Sequence, residues 1–280
     1  MLGLFATRQE VSQAHGLNKI VVLGRLCYAA PLAVFAGEHF ASARAIMQMV
    51  PEYMPARLFW AYFVGVCLVA ASLSIVLNIQ AQWSGILLGV MFILFVLMLD
   101  IPVVVSHPAR DRFEWILIVR EPSFACGAFA LAATSMAASR SRVSQALVTL
   151  ARVVISLVVI FYGVEHFLHP DHVPVVPLEM LLPAWIPAHT LIGYVTGAAL
   201  VAAGTSMVFW RKSARMAATY LGTLILLVVA LVYLPILIAS ASATGAGEKI
   251  EALNYFADTL FFGGTVLVLA NALPKDSPAG

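Results

Sequence analysis

Two short segments of this chain set an acid beside an imidazole within otherwise apolar runs: Glu38-His39-Phe40 and Glu165-His166-Phe167. Neighbouring side chains on a helix point about 100° apart, so the acid and the imidazole of each pair face different surroundings. Each is expected to find its partner on another helix. Acids and imidazoles away from bulk water are groups that trade protons, which makes Glu38, His39, Glu165 and His166 the leading candidates for a proton or ligand site. Asp100, Tyr194 and Asp258 are expected to line the same region, with Asp100 two residues before the helix-interrupting Pro102. Glu121 stands near the position that matches Asp258, and its neighbour Arg120 can neutralise an adjacent carboxylate. The plainer alternative is that all of these residues hold helices together by hydrogen bonds.

Other chemistries find less in the sequence. His166, His169 and His172 have a spacing that could gather imidazoles on one helix face, but Pro170 disfavours helix at His169 and no metal site is expected. Cys27, Cys67 and Cys126 lie in apolar surroundings with no C-x-x-C spacing, which argues against a dithiol relay. Phosphate-loop, dinucleotide, nucleophile-elbow and zinc-protease motifs are missing. Arg25 and Arg152 read as anchors that snorkel to the nearer interface.

The elements that must position these groups are transmembrane helices. Hydrophobic residues make up 62% of the chain and charged residues 11%, against about 25% charged in soluble domains. Apolar stretches long enough to span a bilayer recur throughout, at about 20–40, 57–78, 83–105, 114–138, 147–168, 188–209, 216–239 and 250–271. Eight spans leave no room for a separate soluble catalytic domain. The net charge is only +2, with no long basic run, so nucleic acid is not an expected partner and the lipid bilayer is. Arg8, Lys19, Arg140, Arg142, Arg211, Lys212, Arg215 and Lys275 on one side outnumber Arg44, Arg57, Arg110, Arg112 and Lys249 on the other. That bias predicts both termini in the cytoplasm and the Glu-His pairs at the outer side.

The chain also repeats itself. Arg25 and Glu38-His39-Phe40 recur, at the same spacing, as Arg152 and Glu165-His166-Phe167. Pro51-x-x-x-Pro55-Ala56 recurs as Pro183-x-x-x-Pro187-Ala188, and Tyr62-x-x-Gly65 as Tyr194-x-x-Gly197. Pro102 and Pro235, and Gly127 and Gly264, continue the register, with Tyr233 standing opposite Asp100. An even number of spans per copy inserts both copies the same way up. The expected fold is therefore all-α: eight transmembrane helices in two parallel four-helix repeats, related by a pseudo-two-fold axis along the membrane normal. The expected boundaries are a segment at 1–18, repeats at 19–138 and 147–272, a linker at 139–146 and a tail at 273–280.

Each half resembles the DoxX-like family of four-helix bacterial membrane proteins. The resemblance is carried by Gly163-Val164-Glu165-His166-Phe167, Pro183-Ala184-Trp185-Ile186-Pro187, Tyr194-Val195-Thr196-Gly197 and the basic residues from Arg211. It implies residence in a bacterial cytoplasmic membrane and an association with redox biology, since related members include a subunit of a thiosulfate–quinone oxidoreductase. On that basis a quinone or another small lipophilic molecule, and a redox partner protein, are the expected ligand and partner; no cofactor is evident from the residues themselves. Two alternatives remain open from the sequence: a transporter component, and a structural or assembly protein without a small-molecule site.

Overall fold

The computed structural model describes residue 12 and residues 14–106, 112–136 and 141–274. Arg8, Arg110, Arg140 and Lys275, which entered the orientation argument, lie outside the described residues, as do most of the 1–18 segment and of the 273–280 tail. Eight helices are long and apolar enough to cross a membrane: α1 (Asn18–Ala41), α2 (Arg57–Leu77), α3 (Ala81–Val105), α4 (Arg112–Ser135), α5 (Arg142–Leu168), α6 (His189–Phe209), α7 (Ala214–Ser240) and α8 (Ala246–Ala272). The protein is a multi-pass, all-α membrane protein. Both described chain ends lie at one face of the bundle, here called the terminal face; the long loop at 169–188 belongs to the opposite, loop face.

Two helices start earlier than apolarity predicts. Ser141 caps α5 by accepting a hydrogen bond from the Ser144 amide, which draws the polar turn at Arg142 into the helix. The α8 helix begins directly after Gly245, and its first turns carry the exposed residues Glu248, Lys249 and Glu251. Helical turns that sit in water leave no trace in hydropathy.

Several local features occur in matched places. Left-handed alanines, Ala56 (φ 53°) and Ala188 (φ 58°), precede α2 and α6. Both α3 and α7 widen into a π-helical segment, at Val96–Asp100 and at Val229–Tyr233. Pro102 and Pro235 follow each segment by two residues, and a proline ring obstructs the carbonyl four residues earlier. Single π turns of this kind are frequent at functional sites.

The core is organised around α4 and α8. In their apolar stretches 67% and 78% of residues are buried, against 44% or less in the other six helices. The first and last spans, α1 and α8, pack against each other along their length, joining opposite ends of the chain. Glycine permits that approach: a Cβ on Gly264 would fall 2.4 Å from the Tyr28 amide nitrogen.

Candidate functional site

The two Glu-His pairs have different surroundings. Glu165 is locked to Arg112 of α4, Nε to Oε2 at 2.7 Å, and the same guanidinium donates to the carbonyls of Pro177 and Leu178. His166 is fully buried, and its Nε2 accepts a hydrogen bond from the Val175 amide at 3.0 Å. Tyr233 donates to the Pro174 carbonyl, and Tyr255 accepts from the Met180 amide. Together these contacts bind the apolar loop residues Val173 to Leu178, all buried, over the end of the second half of the bundle. In this loop Val175 takes a positive φ of 81°, a costly conformation for a β-branched residue, held by these surrounding contacts. His172 lies here too, in ring contact with His169, and burial, followed by the nearby Arg112 and His169, holds its imidazole below the usual value. Removing Arg112 tests this anchoring. Arg112→Gln is expected to cost about 1.5–3 kcal/mol, the range for hydrogen bonds to charged groups, and limited proteolysis should cut the 171–182 stretch faster than in wild type. Unchanged cleavage would mean the loop is held by packing alone.

In the first half, His39 turns inward on its own helix, its Nδ1 donating to the Phe35 carbonyl at 2.8 Å, where a partner on another helix was expected. An imidazole at i reaches the carbonyl at i−4, so the local bond competes with any distant one. Glu38 instead adjoins Asn254 of α8 and lies within electrostatic reach of Asp258.

That contact leads to a dense polar cluster. Arg120 of α4 donates to Asp258 of α8 at 2.6 Å and to Glu121 at 2.9 Å, and its guanidinium stands 5.7 Å from the Phe124 ring centroid. Asp100, the last residue of the π segment in α3, feels both Arg120 and Glu121. The buried Tyr162 of α5 faces Arg120, Asp258 and Glu121. Three carboxyl groups thus share one guanidinium, and a fourth, Glu38, adjoins them through Asp258, at the meeting of α1, α3, α4, α5 and α8. Six buried atoms here have no hydrogen-bond partner: Glu38 Oε1, Asp100 Oδ2, Glu121 Oε2, Asn254 Oδ1, Arg120 Nε and Tyr162 Oη. Isolated charges in hydrocarbon cost about 2.5–3.5 kcal/mol on the insertion scale, so the surplus acid has to be balanced by protons or a bound cation.

Beneath the cluster, toward the terminal face, the same helices turn aromatic. Phe124 and Phe261 stack at 4.1 Å, Tyr28 packs on Phe261 at 4.6 Å, and Phe92 stands within 6.0 Å of both phenylalanines. All four rings are buried, and Tyr28 donates to the Phe124 carbonyl at 2.7 Å. Past this layer lies a polar cavity of about 1060 Å³ open to the terminal face, lined by Arg25, Asn78, Gln82, Ser135, Arg215 and Asn271 among others. Three helices carry the whole succession. In α1 it runs Glu38, Tyr28, Arg25; in α4, Arg120, Phe124, Ser135; in α8, Asp258, Phe261, Asn271.

Of the sequence candidates, Glu38, Asp100 and Asp258 meet in the cluster, whereas Glu165 and His166 hold the loop. His39 bonds its own helix, and Tyr194 stacks on Phe167 at the exposed surface (centroids 6.1 Å), as Tyr62 does on Phe40 (6.3 Å). Arg152 does not snorkel: it is 9% exposed and donates to the Met207 and Val208 carbonyls at the end of α6. Sequence reasoning passed over Tyr162 and Asn254. Their only signal was position, on the same helix face as residues already singled out: Tyr162 lies four before His166, and Asn254 four before Asp258. Among the described residues no three His, Cys, Asp or Glu side chains stand close enough to hold a metal ion. In comparisons with family models, curated proteins and solved structures, nothing matches this chain.

Proposed function

We propose that this protein is a proton-coupled membrane carrier, or the membrane component of one, in which the Arg120 cluster is the proton-exchanging site and the terminal-face cavity is the vestibule on the other side of a closed barrier. One observation carries the reading: a surplus of acid groups, three of them (Glu38, Asp100 and Glu121) with a buried oxygen left without a hydrogen bond, lies in line with a polar cavity along α1, α4 and α8, with only an aromatic layer between them. Ionisable residues placed inside a membrane mark proton or substrate paths by default. The two π segments, each ending on a residue beside the cluster (Asp100 and Tyr233), supply deformable turns next to it.

The carrier works as two parallel four-helix repeats, 19–138 and 147–272, that rock about the α4–α8 seam. Support comes from the matched alanines, π segments and Phe–Tyr stacks. Residence in a bacterial cytoplasmic membrane with both termini inside is part of the proposal; the DoxX-like resemblance read from the sequence is matched by no family model and lends it no weight. The quinone-binding, redox-subunit reading rests on that resemblance alone, and the alignment of cluster, barrier and vestibule favours transport over it.

Side-specific labelling tests the proposal without knowledge of the substrate. In a background with Cys27, Cys67 and Cys126 replaced by alanine, Asn254→Cys reports the outer cluster and Ser135→Cys the vestibule. A membrane-impermeant maleimide should label the two positions reciprocally as pH is moved from neutral to acid. Labelling of Ser135→Cys that never changes, with Asn254→Cys always silent, would describe a static bundle and end the carrier reading.

A further inference from the structure

The Arg120 cluster lacks a partner of a definable kind. Its charged and titratable groups are Glu38 of α1, Asp100 of α3, Arg120 and Glu121 of α4, Tyr162 of α5 and Asp258 of α8, with Tyr233 of α7 beside Asp258. Arg120 has already committed both terminal nitrogens, Nη1 to Asp258 and Nη2 to Glu121. The atoms left over are mostly acceptors. Glu38 Oε1, Asp100 Oδ2, Glu121 Oε2 and Asn254 Oδ1 carry lone pairs and, with the acids ionised, no hydrogen; against them stands one pure donor, Arg120 Nε. The sixth atom, Tyr162 Oη, can donate or accept, and it is the informative one. Tyr162 has no exposed surface, its hydroxyl has no hydrogen-bond partner, and it faces Arg120, Asp258 and Glu121. A buried phenol left this way is costly, and a ligand that meets it removes the cost. The cluster is also shaped to receive one. Glu38, Asp100, Glu121 and Asn254 are partly exposed, whereas Asp258 and Tyr162 are buried, so it opens on one side and closes on the other. Below it stand the rings of Phe124, Phe92 and Phe261.

We infer that this cluster binds a protonated primary amine. Ammonium N–H groups answer the orphan oxygens, its charge answers the surplus acid, and an apolar remainder lies against the rings. A bare metal ion fits less well, because among the described residues no three acid or imidazole side chains converge closely enough to ligate one. The inference rests on the carrier reading and names the substrate class of its site: protons balance the acids in one state and the ammonium balances them in the other. Amine binding is measurable whether or not the protein transports.

The test uses the full chain in an uncharged detergent and isothermal titration calorimetry. The probes are the chlorides of butylammonium and 2-phenylethylammonium; butyltrimethylammonium, which keeps the charge but has no N–H, and sodium are the controls. At pH 7.5 both primary amines should bind and neither control should. Alkylammonium groups stay charged up to about pH 10, so weaker binding at pH 5 reports protons competing on the cluster. Loss of a charged hydrogen bond puts Glu38→Gln about tenfold weaker in Kd. Glu248→Gln, an exposed acid at the start of α8, should match wild type. Tyr162→Phe removes only a hydroxyl without a partner, so it should fold as wild type does and still bind the amines more weakly. No binding of either amine, binding shared by the quaternary ion or by sodium, or an affinity unmoved by acid and by both cluster substitutions overturns the inference. None of these results alters the reciprocal labelling. Reciprocal labelling without amine binding leaves a carrier of some other substrate, and amine binding to a chain whose labelling never changes leaves a binding site without transport.

Discussion

Alanine at position 264 is expected to separate α1 from α8 and to leave little stably folded protein. The added Cβ would stand 2.4 Å from the Tyr28 amide nitrogen and 2.6 Å from both Cys27 C and Tyr28 Cα. All three are backbone atoms, so no side chain can swing aside, and relief requires one helix to move by about 1 Å in a core packed to crystal density. The same seam carries the Tyr28–Phe124 hydrogen bond and the Tyr28–Phe261 ring contact, and movement of α1 strains both. Overpacking of this kind costs roughly 1–3 kcal/mol where the surroundings can yield; here they are main chain, which puts the expectation at the top of that range or beyond. Gly247→Ala is the control, since nothing lies within 4 Å of its added Cβ. Thermal unfolding in detergent should show Gly247→Ala at or slightly above wild type and Gly264→Ala far below it. Equal stability of the two would mean that the α1–α8 seam is looser than drawn.

The contrast between those two glycines shows what a sequence can and cannot convey in a membrane protein. The spans were legible because a bilayer sorts residues along the chain by polarity alone. Which face of a span meets another helix was not, because lipid is as apolar as a protein core. Leu87 and Leu231 face outward at 66% and 71% exposure, Leu221 is 3% exposed, and nothing local to their sequences separates them. The pairing of α1 with α8 was hidden for the same reason.

The site was half legible. Glu38, Asp100, Arg120, Glu121 and Asp258 stood out as charges that hydrocarbon disfavours. Reading them through the repeat, however, ranks Glu165 and His166 equal to Glu38 and His39, since the Glu-His-Phe segment is identical in the two places. The partners differ because the loops differ. The stretch between α5 and α6 is long enough to fold back, and it presents backbone groups that Arg112 and His166 engage. Tyr162 and Asn254 carry no charge, and only the tertiary packing brings them to the cluster.

Loss of the guanidinium at position 120 is expected to be the most damaging single change to the cluster, and to be repairable. Arg120→Met keeps the length of the side chain but leaves Asp258, 3% exposed, and Glu121 without their cation. Removing one partner of a buried pair costs about 3–5 kcal/mol, mostly through the charge left behind. Asp258→Asn in the same chain removes that charge and preserves the shape, so the double variant should recover much of the loss, a coupling of about 2 kcal/mol or more in a double-mutant cycle. Arg120→Lys should fall between, because one ammonium does not reproduce the fork that reaches Asp258 through Nη1 and Glu121 through Nη2. Stability and function part company at this point. If the cluster exchanges protons, the rescued double variant folds yet loses the pH-driven change in Ser135→Cys labelling, since it retains neither the guanidinium nor the most buried acid. If the cluster only ties helices together, there is no pH-driven change for either chain to lose, and the rescued variant matches wild type in labelling as well as in stability. Failure of Asp258→Asn to rescue Arg120→Met would place the energetic weight of Arg120 elsewhere, on Glu121 or on the Phe124 ring.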